Sequence, residues 1–138
     1  MNPAINTLTE LVIGAAIEVH FALGPGLLES AYEAAYAHEL MLRGIPHVRQ
    51  ECLPIVFKGI PIVPGYRIDI LADNRVVIEL KAVEKLVPLF STQLLTYLRL
   101  GGYPLGLLIN FNVPKLVDGI ERVSNGAPDL SARSALSC

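Results

Sequence analysis

Two strand-like runs, Tyr66 to Ala72 and Val76 to Val83, are separated only by Asp73-Asn74-Arg75, so they must fold back on each other as a hairpin. If Ala72 pairs with Val76 across that three-residue loop, Ile70 falls opposite Ile78 and Ile68 opposite Leu80 on one face. Asp69 then faces Glu79, and Arg67 faces Lys81, on the other. A slip of one residue would set Asp69 against Ile78 and Ile68 against Glu79, burying carboxylates without partners at a cost of several kcal/mol each. The hydrophobic pattern alone therefore gathers two acids and a lysine on one face.

The rest of the chain supplies helices and further strands. Thr7-Leu8-Thr9-Glu10 has the form of a capping box, and the apolar spacing after it predicts a helix from about Leu8 to Ala22, ended by Gly24-Pro25-Gly26. A second amphipathic helix is expected from Leu28 through Arg43, closed by Gly44, with Glu29 in its first turn where the helix dipole favours an acid. His47 to Phe57 and Ile60 to Val63 read as two strands of a meander. Pro88 can open a third helix over Leu89 to Leu100, stopped by Gly101-Gly102. Leu105 to Phe111 reads as a fully buried strand, and a short helix is expected around Lys115 to Val123.

The 138 residues are one domain's worth, read as a single α/β domain over 1–123 with a flexible tail over 124–138. At 52% hydrophobic and 17% charged, the chain is far from the disordered class, and some apolar surface is expected to serve an oligomer interface, a homodimer by preference. The apolar stretch Leu11 to Leu28 carries Glu18 and His20 and is broken by the Gly-Pro-Gly turn, so no membrane span is expected. Cys52 and Cys138 form no metal or redox motif, which makes a reduced, cytoplasmic setting the default expectation. A net charge of −2 argues against gripping nucleic acid by bulk electrostatics; a local patch and bound metal would have to do it.

Hard divalent cations such as Mg²⁺ take one or two carboxylates plus water and substrate phosphates, and Asp69 and Glu79 on adjacent strands offer that pair. Lys81 on the same face is suited to stabilise phosphate charge or to orient a water, and the Leu80 carbonyl is a further oxygen donor. The same residues also make a solvated cross-strand charge ladder, and the hairpin alone favours that reading. His20, His38 and His47 lack the spacing of a zinc site. Tyr32 and Tyr36, one turn apart, are expected to pack rather than to stack on bases.

Further motifs shift the balance. Gly26-Leu27-Leu28-Glu29-Ser30-Ala31-Tyr32, Tyr66-Arg67-Ile68-Asp69-Ile70, Glu79-Leu80-Lys81, Gln93-Leu94-Leu95-Thr96-Tyr97 and Gly106 to Phe111 occur in that order. In this the chain resembles the GxxExxY proteins of the PD-(D/E)xK nuclease superfamily, over roughly Ile13 to Val123. The resemblance implies a mixed central sheet flanked by helices, and metal-dependent hydrolysis of nucleic acid, with DNA favoured and Mg²⁺ or Mn²⁺ as cofactor. It implies Asp69 and Glu79 as metal ligands, Glu29 as an acid reaching the metal directly or through water, and Lys81 as the catalytic lysine. Gln93 and Tyr97, which helical spacing puts on one face, would line the site. The alternative is a non-catalytic binding or assembly module on the same fold, which the low basicity and high apolar content favour.

Overall fold

The computed structural model describes residues 3–126. Five strands form one sheet in sequence order: β1 (His47–Phe57), β2 (Ile60–Ala72), β3 (Val76–Lys81), β4 (Leu105–Asn110) and β5 (Ile120–Ser124). β3 and β4 run parallel and every other neighbouring pair is antiparallel, so the sheet is mixed. Helices α1 (Ile5–Leu23) and α2 (Glu29–Leu42) cover one face, and α3 (Pro88–Gly101), the crossover between β3 and β4, covers the other. This is the α/β architecture expected, a mixed sheet flanked by helices.

The β2–β3 register is the one the hairpin pattern demands: Ala72 pairs with Val76, Leu71 with Val77 and Ile70 with Ile78. Asp73 and Asn74 take positive φ in the connection, a conformation that short polar side chains tolerate. The hairpin is not apolar on one face only. Ile70, Ile78 and Leu80 enter the core under α1 and α2, while Leu71 and Val77 enter the core under α3. Ile68 was expected to share a face with Leu80; it lies instead in the α3 cluster. The alternation of β2 breaks at Asp69, opposite Gln50, which has φ 52° and is skipped in the β1–β2 register.

α1 begins three residues before the expected start, and the capping box does not form. Ala4 is the N-cap, and the buried Thr9 turns its hydroxyl back to the Ile5 carbonyl at 2.7 Å. Ile5 and Leu8 pack on the core, and that burial extends the helix past the polar signal. By length and composition α1 could cross a membrane, but its Leu8, Val12, Ala15, Ala16 and Val19 are core residues, and Tyr36 of α2 donates to the Val12 carbonyl at 2.6 Å. β2 runs unbroken through Pro64-Gly65, where two separate strands were expected. The prolines fit because the register shifts between Leu53 and Ile55: Pro54 and Pro64, with no N–H to give, fall where the ladder is irregular.

The helix expected over Lys115 to Val123 is a single 3₁₀ turn, Leu116–Gly119, followed by β5. The ladder edge of β4 needs a partner, and the Ile120–Ser124 segment supplies it. Asn125 then donates to the carbonyls of Leu98 (3.2 Å) and Tyr103 (2.9 Å). The tail expected from 124 lies, from residue 127 onward, outside the described residues. α3 sits close on the sheet because Gly106 leaves room: a Cβ there would meet the Leu94 side chain at 2.9 Å.

Leu107, fully buried on β4 beneath α1 and α2, tests this packing. Leu107→Ala is expected to cost about 2–5 kcal/mol in urea unfolding. A loss below about 1 kcal/mol would mean that β4 is not central to the core.

Candidate active site

The register of β2 and β3 ends at Ile70–Ile78, and beyond it side chains take over the work of the ladder. The Leu80 amide donates to Asp69 Oδ2 at 2.9 Å, and the Asp69 amide donates to Glu79 Oε1 at 3.3 Å. Each carboxylate thus accepts the amide that a backbone carbonyl would otherwise take, and neither buried N–H is left unpaired. In an extended strand the N–H and C=O of one residue point the same way. The Leu80 carbonyl therefore faces the same gap, while the next carbonyl, that of Lys81, turns to the other side and accepts the Phe111 amide at 2.9 Å. The solvated ladder of charges considered from sequence does not describe this: Glu79 is 4% exposed.

α2 brings further acids to the gap. The turn that leads into it is tied down by Tyr32, whose hydroxyl donates to the Gly24 carbonyl at 2.5 Å and accepts the Leu27 amide at 3.1 Å. The Tyr32 ring is stacked on Phe111, centroids 4.5 Å apart, so the Tyr of the Gly-x-x-Glu-x-x-Tyr segment is a structural lock that sets where Glu29 begins the helix. His20 is structural too, its Nε2 2.7 Å from the Val113 carbonyl oxygen.

Glu33, one turn beyond Glu29, was not singled out from the sequence. It is 8% exposed and accepts Arg49 Nε (3.1 Å) and Nη2 (3.0 Å) on Oε2 and Gln50 Nε2 (2.7 Å) on Oε1. Gln50 Nε2 also lies 3.4 Å from Asp69 Oδ1, so Gln50 links the two acids. The i, i+4 spacing of Glu29 and Glu33 was the available signal.

Lys81 Nζ lies 4.3 Å from the centroid of the Phe90 ring on α3. Its β4 partner is Asn110, a buried polar residue in an apolar strand, which accepts the Val83 amide (3.1 Å) and donates to the Val83 carbonyl (2.9 Å). Asn110 thereby fixes the chain as it leaves Lys81. From α3, Tyr97 stacks on Tyr66, centroids 3.7 Å apart and rings inclined by 13°, and the Tyr66 hydroxyl donates to Glu79 Oε2. Gln93, one turn earlier, is exposed and makes no hydrogen bond to the cluster. The structure thus brings Asp69, Glu79, Leu80 and Lys81 around one gap with Tyr97 behind them, sets the exposed Glu29 where the charges of Asp69 and Lys81 act on it, and leaves Gln93 at the rim.

The acids repel one another. Burial raises the pKa of Glu79 to about 8, with the neighbouring Asp69 charge adding to the rise. Burial also raises Asp69, and the Glu33 charge pushes the same way. Glu29 is raised by burial and then by Asp69. Tyr97 is raised by burial and by Glu79. Among the described residues no group of three or more His, Cys, Asp or Glu forms a ready-made metal cage. The oxygen donors around the gap, two carboxylates on adjacent strands, a backbone carbonyl and Glu29 beside them, nonetheless suit a hard divalent cation, and their mutual repulsion is what such a cation relieves.

The raised pKa has a sign. Glu79 ionises near 4.5 when unfolded and near 8 when folded, so its contribution to stability is complete below about pH 4.5 and is lost as pH rises to about 8. The metal-free protein is therefore expected to lose on the order of several kcal/mol between pH 5 and pH 8. In Glu79→Gln the decline should be much shallower, read from urea midpoints across that range. A wild-type profile that rises towards pH 8 would contradict this electrostatic picture.

No curated protein and no solved structure was found to match the chain. A protein-family model does match it, that of the PD-(D/E)XK nuclease superfamily, over residues 6–123. The match takes in all but the first residue of α1, the other two helices and all but the last residue of the sheet, and spans the carboxylate gap, the lysine and the crossover helix. The chain belongs to the PD-(D/E)XK nuclease superfamily.

Proposed function

We propose that this protein is a metal-dependent nuclease of the GxxExxY type that hydrolyses phosphodiester bonds of nucleic acid, DNA by preference, with Mg²⁺ or Mn²⁺. The observation that carries the reading is the gap itself. Asp69 and Glu79 are held across it by amides of the opposite strand, with Lys81 two residues further along β3. Membership of the superfamily supports the reaction class.

In this reading Asp69, Glu79 and the Leu80 carbonyl hold the cation, with Glu29 reaching it directly or through water. A bound divalent cation supplies Lewis acidity at the phosphate and a more acidic water. Lys81, with a positive charge on a short tether to the same strand, hydrogen-bonds a phosphate oxygen and offsets the charge that develops on it. Its ammonium lies 4.3 Å from the centroid of the Phe90 ring. Gln93 and Tyr97 border the substrate path from α3. The net charge of −2 means that such local groups, rather than a broad basic surface, must hold the phosphates.

One feature favours a second reading, a binding or assembly module. Phe57 is 63% exposed at the end of the β1–β2 hairpin, beside exposed Val56, Ile60 and Val63.

The deciding experiment is cleavage of linear, circular and single-stranded DNA and of RNA with Mg²⁺ or Mn²⁺. Lys81→Ala and Asp69→Ala are compared with wild type from matched preparations. Lys81→Ala is expected to lose at least 100-fold in cleavage rate, about 3 kcal/mol of transition-state stabilisation, without unfolding. Full activity in the Lys81 variant would remove it from the reaction, and inactivity of every preparation would leave the binding module as the better account.

A further inference from the structure

Glu79 is held by two donors, and one of them stands outside the acid-lysine pattern. Oε1 accepts the Asp69 amide and Oε2 accepts the Tyr66 hydroxyl. Strict alternation along β2 would put Tyr66 on the same face as Ile70 and Ala72, under α1 and α2 and away from Glu79. It is found on the α3 side with Ile68, because the alternation breaks at Asp69 opposite Gln50.

Two more features aim the ring. The β1–β2 register shifts between Leu53 and Ile55, next to the Leu53–Tyr66 pair. Gly65 lets the strands close there, since a Cβ on it would lie 2.3 Å from the Leu53 carbonyl oxygen. The ring then lies against Tyr97, in a nearly parallel stack. A bulge, a glycine and a residue from α3 all converge on one hydroxyl, whose acceptor is the buried Glu79 carboxylate.

Building on the nuclease reading above, we propose that Tyr66 is a positioning residue: its hydroxyl holds the Glu79 carboxylate in the orientation that binds the cation, and Tyr97 holds the Tyr66 ring. Glu79 sits beside Asp69, from which its charge would turn it away. A donor on the far oxygen keeps it facing the gap, so that cation binding need not first order the side chain.

The test is calorimetric titration of the metal-free protein with Mn²⁺, run on wild type, Tyr66→Phe, Tyr97→Phe and Tyr97→Ala, with a melting curve for each. Tyr66→Phe keeps the stacked ring and loses only the hydroxyl. It should weaken Mn²⁺ binding roughly 10- to 100-fold while still melting in one cooperative transition. Tyr97→Phe, which keeps a ring in the stack, should weaken binding less than Tyr97→Ala. If Tyr66→Phe does not fold, the order of the two Tyr97 variants decides. Wild-type affinity in Tyr66→Phe, equal losses in the two Tyr97 variants, or no Mn²⁺ binding by wild type would overturn the proposal. Cleavage by the same preparations keeps the two ideas apart: Mn²⁺ affinities in this order from a protein that cuts no nucleic acid uphold Tyr66 and defeat the nuclease reading.

Discussion

Where β2 and β3 part beyond Ile70–Ile78, two side-chain carboxylates accept the amides that strand carbonyls would have taken, and the rest of the site is arranged around that exchange. A buried amide without an acceptor costs about 1–3 kcal/mol, so the strands can separate here only because Asp69 and Glu79 are present to receive them. The exchange keeps both acids inside the sheet rather than on its surface. Burial raises the pKa of both, with the Asp69 charge adding to the rise at Glu79 and the Glu33 charge to that at Asp69, so the apo fold loses stability as pH rises.

The gap is reached from both faces of the sheet. From one side α2 brings Glu29 and Glu33, its starting point set by the Tyr32 lock on the Gly24–Leu27 turn. From the other, α3 brings Phe90 against Lys81 and Tyr97 against Tyr66. The sheet can be covered twice because β3 and β4 are apolar on both sides: Val76, Ile78 and Leu80 feed one core, Val77 and Leu108 the other. The chain's high apolar content goes partly into these two cores, and partly into exposed side chains such as Phe21, Leu28 and Phe57.

Much of this was legible in the sequence where local pattern and packing agreed. The hairpin register followed from the apolar pairs, and Pro88 and Gly102 bracket α3 as their chemistry suggests. Where tertiary packing competed with a local signal, packing prevailed. The Thr7–Glu10 capping box yielded to the burial of Ile5 and Leu8, and the expected helix over Lys115 to Val123 yielded to the free edge of β4. Glu33 and Asn110 carried weak signals, an i, i+4 acid pair and one polar residue in an apolar strand, whose partners lie 16 and 27 residues away. Tyr66 carried none, since regular alternation points it to the wrong face.

Residue type and spacing were enough to specify that these two strands pair across a three-residue loop and that two acids and a lysine lie close together, although a period of two with one apolar face does not hold along the whole hairpin. What the Tyr66 ring faces, how Gln50 joins Glu33 to Asp69, and whether the acids are solvated or buried were decided in three dimensions. Each depends on a break in that period at Asp69 and on helices packed from opposite faces, and a break in alternation has no local sequence signature when its cause is a residue on another strand.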